Sequence, residues 1–475
     1  MNAPIARLFV VVVVLFAVLV GFTSRWTVFD ANALRDNPKN HRELIEEQQI
    51  RRGLIRAGDA TVLARSLQQP DKSYVRTYPS DRLFSHAVGY SFVRQGRAGL
   101  ERFYDDDLSG RTNELSSLVD RLSGAEQAGD NLVTSLDPAA QRVALQQLGG
   151  RKGAVVALDP RSGAIKVMAS VPGYDPNSVK NQREFSALNR DNDAPLLNRT
   201  TQAGYPPGST FKVVTAIAAI DSGRYTPDSR ISGRNGKTIS GVPLNNDAGE
   251  SFGDITLTEA LTKSVNTVFG EVGEKLGKAR MKKYMDRLGF GAPVEVDLPR
   301  DERAASGERV RGRVVPATNG AVDVGRMAIG QDKLTVTPLQ MAMVASAVAN
   351  GGKLMKPRLG DRIVDRDGRT VRHLVPEEMS QVMSPQTASQ VGAMMGQVVK
   401  EGTGTAAALQ GIDVAGKTGT AEVDRPCGPN QLWFIAFAPA QDPRVAIAAT
   451  VECGTGFGGT VAAPIAKAVM QELLK

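Results

Sequence analysis

The chain has 475 residues, 41% hydrophobic and 23% charged, which is enough for a large core in two or more domains and too apolar for a disordered chain. Two cysteines exclude a disulfide scaffold or a cysteine-ligated zinc site, and three scattered histidines (His41, His86, His373) without an HExxH pair exclude a helix-borne one. No phosphate-cradling GxxxxGK[ST] run occurs. The net charge of +8 is held mostly by the C-terminal two-thirds, without a dense basic tract, so neither nucleic acid nor a metal or other cofactor is expected.

In chain order, Leu8–Phe22 is an unbroken apolar run, near the length needed to span a bilayer. Gly21–Ser24 offers no good pair of small residues for cleavage, so an uncleaved signal-anchor is expected. With seven residues ahead of the span, the N-terminus is expected in the cytoplasm and the remainder outside a single-pass cell membrane anchor. Residues 27–150 mix short polar segments and turns, with a helical pattern only around Ala139–Leu148, and 105–135 reads as an acidic boundary. From Gly153, two short apolar runs flank the turn Asp159-Pro160-Arg161-Ser162-Gly163, a hairpin signal. Lys212–Ile220 predicts an apolar helix, and further helices are expected at 256–264, 337–349 and 462–474. Residues 431–438 and 445–453 read as strands. Strands at both ends with helices between predict an α+β domain whose terminal segments share one sheet. The expected division is 1–26 stub and anchor, 27–150 a non-catalytic β-rich pedestal or dimerisation domain, and 151–475 the catalytic domain.

Three short motifs each occur once. Ser209-Thr210-Phe211-Lys212 is an SxxK that follows Pro-Pro-Gly and opens the apolar helix, where residues three apart share a face and the helix dipole favours developing negative charge. Alone it is better read as an N-cap serine followed by a solvated lysine. Ser264-Val265-Asn266 is an SxN at the end of the next predicted helix. Lys417-Thr418-Gly419 continues as Thr420 in an extended segment, where glycine marks the close approach of another backbone or a ligand.

In this order, the three motifs resemble those of penicillin-binding proteins and serine β-lactamases. Gly204–Gly208, Gly330-Gln331, Thr337–Ala342, Ala349–Gly352 and Trp433-Phe434 also look like family segments. Arg52–Ile55 and Gly99–Glu101 resemble the N-terminal module of class B penicillin-binding proteins, of the actinobacterial penicillin-binding protein A type. The resemblance implies an antiparallel sheet flanked by helices and a monofunctional peptidoglycan D,D-transpeptidase. About 125 residues between anchor and Gly153 leave no room for a glycosyltransferase domain.

A serine needs a base before it can attack an amide. With no convenient histidine, Lys212 is the candidate, and its pKa must fall by about 3 units, or ~4 kcal/mol, to be useful near pH 7. Burial and the Lys417 cation are the levers. Ser264 would relay a proton to the leaving nitrogen, and Asn266 would hold the substrate amide. Lys417, Thr418 and Thr420 suit a substrate carboxylate. In the family the oxyanion hole is made by backbone N–H groups, here of Ser209 and Thr420, worth about 3 kcal/mol per donor. The implied substrates are stem peptides ending in D-Ala-D-Ala, β-lactams would acylate Ser209, and a polytopic glycan polymerase would be the partner. A D,D-carboxypeptidase, a β-lactamase and a penicillin-binding sensor are the alternatives. The second motif's asparagine separates the chain from class D β-lactamases, and SVN in place of SDN from class A. Cys427 and Cys453 would lie at one edge of the sheet if 431–438 and 445–453 pair antiparallel, and either a disulfide or two unpaired core residues fits.

Overall fold

The structure is a computed structural model that describes residues 3–25, 48–111, 128–423 and 428–475. Helix α1 (Ala3–Ser24) is long and apolar enough to cross a membrane, with mean hydropathy 2.5 over Arg7–Ser24. Strands β1 (Ile55–Arg56), β2 (Val62–Gln68), β3 (Tyr74–Thr77) and β4 (Asn131–Thr134) follow, then α2 (Pro138–Leu148). The segment expected as a boundary thus contains β4, whose Leu132 is fully buried. A four-residue strand is too short to announce itself in polar surroundings.

The hairpin β5 (Gly153–Leu158) and β6 (Ile165–Val171) leads to α3 (Lys212–Asp221), α4 (Leu257–Thr262), α5 (Asn266–Arg287) and α6 (Pro338–Ala349). After β7 (Gly360–Val364), β8 (Thr370–His373) and α7 (Pro385–Glu401) come β9 (Ala415–Glu422), β10 (Asn430–Ala438), β11 (Val445–Gly454) and α8 (Gly458–Leu473). Helix α8 starts four residues ahead of the expected 462, because its first turn is Gly458-Gly459, poor helix formers that a propensity reading leaves outside.

Two sheets organise the chain. One runs β8-β7-β4-β1-β2-β3, so the hairpin at 360–373 returns to pair with the N-terminal strands. The other runs β9-β10-β11-β5-β6, all antiparallel, and joins the two ends of the 153–475 segment as expected. Alternate residues of its strands enter two different cores. Trp433, Ile435 and Phe437 enter the core that holds α3 and α6, while Leu432, Phe434 and Ala436 enter the core that holds α2 and α8. Both faces are covered, which is why these strands read as unbroken apolar runs. Helix α6 is buried from Pro338 to Val348, and Thr337 caps it by accepting from Gln340 N at 3.2 Å. This leaves β9, the KTG strand, as a sheet edge facing the turn that carries Ser209.

Candidate active site

Ser209 lies half-buried on a 3-10 turn, Gly208–Phe211, that runs directly into α3. The approach to this turn is fixed at several points. Tyr205 and Val336 exchange backbone hydrogen bonds of 2.9 and 2.8 Å, Gly208 N donates to Gly330 O at 3.0 Å, and Trp433 Nε1 donates to Pro206 O at 2.9 Å. Gly419 lets the KTG strand close on the turn: a Cβ there would sit 2.7 Å from Pro207 O and 2.9 Å from Thr210 Cγ2. Thr420 is equally close, since a Cβ on Gly208 would lie 2.8 Å from its carbonyl oxygen.

Ser264 is placed by the end of α4. The capping box Thr256/Glu259 starts that helix, and Ser264 ends it in the left-handed region at φ +59°. Ser264 N donates to Leu261 O and Val265 N to Ala260 O, the paired hydrogen bonds of a Schellman motif. Glycine is the usual residue here, and a serine costs roughly 1–2 kcal/mol. The strain turns the hydroxyl inward and starts α5 at Asn266. Asn246 holds that start, accepting from Thr267 N at 3.0 Å while its Nδ2 donates to Gly233 O and Glu250 O.

The three motifs converge. Lys212 and Lys417 are both 0% exposed, and the Ser264 hydroxyl stands between them, 3.2 Å from Lys212 Nζ and 2.9 Å from Lys417 Nζ. Lys212 also donates to Ser264 O at 2.5 Å and Asn266 Oδ1 at 2.6 Å. The Ser209 hydroxyl is not among its partners, contrary to the helix-face expectation; its hydrogen bonds go to Ser264 and Asn266 instead. Burial brings Lys212 down to about 7, against the pull of the Asp247 carboxylate. Burial first, and then the Lys212 cation, hold Lys417 well below its ordinary value. Desolvation is therefore the main lever on Lys212, where the sequence reading gave Lys417 an equal part.

Lys417 also donates to Thr418 O at 3.0 Å and, being fully buried, reaches the cleft only through Thr418 and Ser264. Thr418 Oγ1 is 2.6 Å from Thr403 Oγ1, and Thr420 Oγ1 accepts from Gly458 N at 3.1 Å, leaving its own proton free to donate. Sequence reasoning missed Thr403 and Asp247. Thr403 is exposed between two glycines beyond α7, and Asp247 lies on the turn Asn245-Asn246-Asp247, where it accepts from Asn266 Nδ2 at 3.3 Å. No spacing rule marks either one. Of the histidines, His86 is buried and bonded to Pro195 O, held down at about 4 by burial, and His373 is exposed on β8. His41 lies outside the described residues. Cys427 does too, while Cys453 is not a free thiol.

Residues 153–471 match the penicillin-binding protein transpeptidase domain family, and 52–132 match the penicillin-binding protein A dimerisation domain. The chain belongs to the penicillin-binding protein transpeptidases. It is 34% identical to the peptidoglycan D,D-transpeptidase PbpA of Mycolicibacterium smegmatis, across 100% of this chain and 99% of that protein. It is 30% identical to the peptidoglycan D,D-transpeptidase MrdA of Acinetobacter baumannii, across 83% of this chain and 65% of that one. Among solved structures, the ceftriaxone acyl-enzyme of penicillin-binding protein A from M. tuberculosis superposes with TM-score 0.82 at 32% identity, covering 91% of this chain and all of that one.

Proposed function

We propose that this chain is a serine-type peptidoglycan D,D-transpeptidase of the penicillin-binding protein A type, acylated by β-lactams at Ser209. The observation that carries the reading is the Ser264 hydroxyl held between two fully buried lysines beside the turn that presents Ser209.

Neutral Lys212 takes the Ser209 proton as the hydroxyl attacks the penultimate D-Ala carbonyl. The oxyanion is received by the backbone N–H groups of Ser209 and Thr420, at the N-terminal end of the α3 dipole. Lys212 passes its proton through Ser264 to the departing D-alanine nitrogen, and an acyl-enzyme remains. Thr418 and Thr420 donate to the terminal carboxylate, with the buried Lys417 behind them donating to Thr418 O and the Ser264 hydroxyl. Gly419 keeps that strand close. Asn266 orients Lys212 and, on releasing one of its N–H groups, holds the substrate amide.

Residues 1–26 form a cytoplasmic stub and anchor, 27–150 the pedestal and 151–475 the transpeptidase domain, with 360–373 pairing back onto the pedestal sheet. The catalytic domain lies outside the membrane, working beside a polytopic glycan polymerase. A Cys427–Cys453 disulfide closes the edge of the sheet. Supporting it, Gly428 packs against Cys453, where a Cβ would stand 2.2 Å from Cys453 O.

The test is covalent labelling of the detergent-solubilised chain with a fluorescent penicillin, wild type beside Ser209→Ala. A long-lived adduct present in wild type and absent from the variant is expected. Rapid turnover of the label would make the protein a β-lactamase, and no adduct at all would end the acyl-enzyme reading.

A further inference from the structure

Asn266 makes hydrogen bonds at every side-chain polar atom it has. Its Oδ1 accepts from Lys212, one Nδ2 proton goes to Asn245 O at 3.0 Å, and the other goes to Asp247 Oδ1 at 3.3 Å. A substrate amide carbonyl can be held by Asn266 only if one of these donations is given up. The Asp247 bond is the longer, and Asp247 is exposed, so it is the one that yields. Its release leaves a carboxylate on the lip of the cleft without its partner.

The second half of transpeptidation needs such a group. The acceptor is a primary amine, nearly all of it ammonium near neutral pH. The buried lysines Lys212 and Lys417 at the cleft floor offer an incoming cation no attraction. Asp247 is the carboxylate that acts electrostatically on both of them. Building on the transpeptidase reading above, we propose that Asp247 is the subsite for the primary ammonium of the acceptor stem peptide, released for that task when the acyl donor takes the Asn266 N–H.

The step balances as follows. The acceptor ammonium docks on Asp247 and loses one proton to solvent across the open lip. Its nitrogen lone pair forms the C–N bond to the Ser209-bound acyl carbon, and the Ser209 Oγ–C bond breaks. A second proton passes from the new amide nitrogen through Ser264 and Lys212 to Ser209 Oγ. The third stays on the peptide bond. No redox partner is involved.

The test is a partition measurement with the full-length solubilised protein. A short N-acyl-D-alanyl thioester forms the acyl-enzyme, which then divides between water and added Nα-acetyl-D-lysine. The aminolysis-to-hydrolysis ratio cancels any change in acylation rate. Asp247→Asn, near-isosteric with the native residue, should lower that ratio about fivefold at low salt, the scale of one exposed ion pair. Asp247→Lys should lower it further. With methanol, a neutral acceptor, the ratio should stay unchanged in both. An unchanged lysine ratio in Asp247→Asn would overturn the proposal, and so would an equal fall with methanol. A second donor bearing a free side-chain ammonium settles the other source of the same chemistry: a raised KM for that donor with an unchanged partition would assign Asp247 to the donor strand and refute the acceptor subsite. Fluorescent penicillin labelling of each variant shows that it is folded. Failure of wild type to form any acyl-enzyme would instead strike the transpeptidase reading.

Discussion

Lys212 should be a stability liability whose size depends on pH in a stated direction. In the unfolded chain a lysine holds its proton up to about 10.5, and in the folded protein this one holds it only to about 7. Between those values the unfolded state binds more protons, so stability rises with pH across that window, and below pH 7 the cost of burying the ammonium is fully present. At pH 6 that cost is about 5 kcal/mol, and at pH 9 it has fallen to about 2 kcal/mol. Lys212→Met removes the titrating group. It also strips donors from Ser264 O and Asn266 Oδ1, at about 1–3 kcal/mol each, but that loss is the same at both pH values. Urea unfolding of wild type and Lys212→Met at pH 6 and pH 9 isolates the titration. The stability of the variant relative to wild type should be greater at pH 6 than at pH 9 by roughly 2–3 kcal/mol. A difference of zero or of opposite sign would show that Lys212 is not held near neutrality by burial.

The same titration sets the chemistry. Penicillin acylation should fall about tenfold per pH unit below pH 7 and level off above it, and a limb centred near pH 10 would contradict the geometry. Gly330→Ala would place a Cβ 2.0 Å from Gly208 O at a φ of +78°, displacing the Ser209 turn; acylation measured by stopped flow should drop about 100-fold. Thr403→Val should lower kcat/KM about tenfold for a donor with a free C-terminal carboxylate and leave the amidated donor unchanged, with Thr403→Ser restoring it, because the Thr403 hydroxyl orients that of Thr418. Alkylation of the denatured protein without reductant should trap no thiol, with two trapped after reduction, and two trapped at the outset would remove the Cys427–Cys453 bond.

The site's chemistry was legible in the sequence where the reaction dictates both residue type and neighbourhood. A serine that opens an apolar helix, a lysine one turn on, and a glycine in the strand that must approach them each leave a local mark. The 153–171 hairpin was equally plain, because Asp159–Gly163 is a turn between two apolar runs. Long-range relations were not. Helix α5 carries Gly270, Gly273 and Gly277, the last at φ +74° within it, so its helical pattern is diluted. The return of 360–373 to the N-terminal sheet is a pairing with Asn131–Thr134 that no local pattern encodes. Lys212 was assigned to Ser209 because residues three apart on a helix are neighbours. The competing acceptors come from a serine in the left-handed region 52 residues later, and positive φ in a non-glycine residue has no sequence signature.

The antiparallel pairing of β5 with β11 also sets a timetable for synthesis. These partners lie about 290 residues apart, so at 5–20 residues per second β5 waits roughly 15–60 s for the strand that completes it. During that interval β5 is paired with β6 alone, and Val155 and Val156, facing opposite cores, lack their β11 partners. Such high contact order predicts slow, late closure of the domain, with the KTG strand arriving among the last elements. The enzyme is therefore inert as a nascent chain. Loss of the C-terminal 60 residues would remove not only α8 but β9, β10 and β11, three of the five strands of the sheet on which the nucleophile's turn rests.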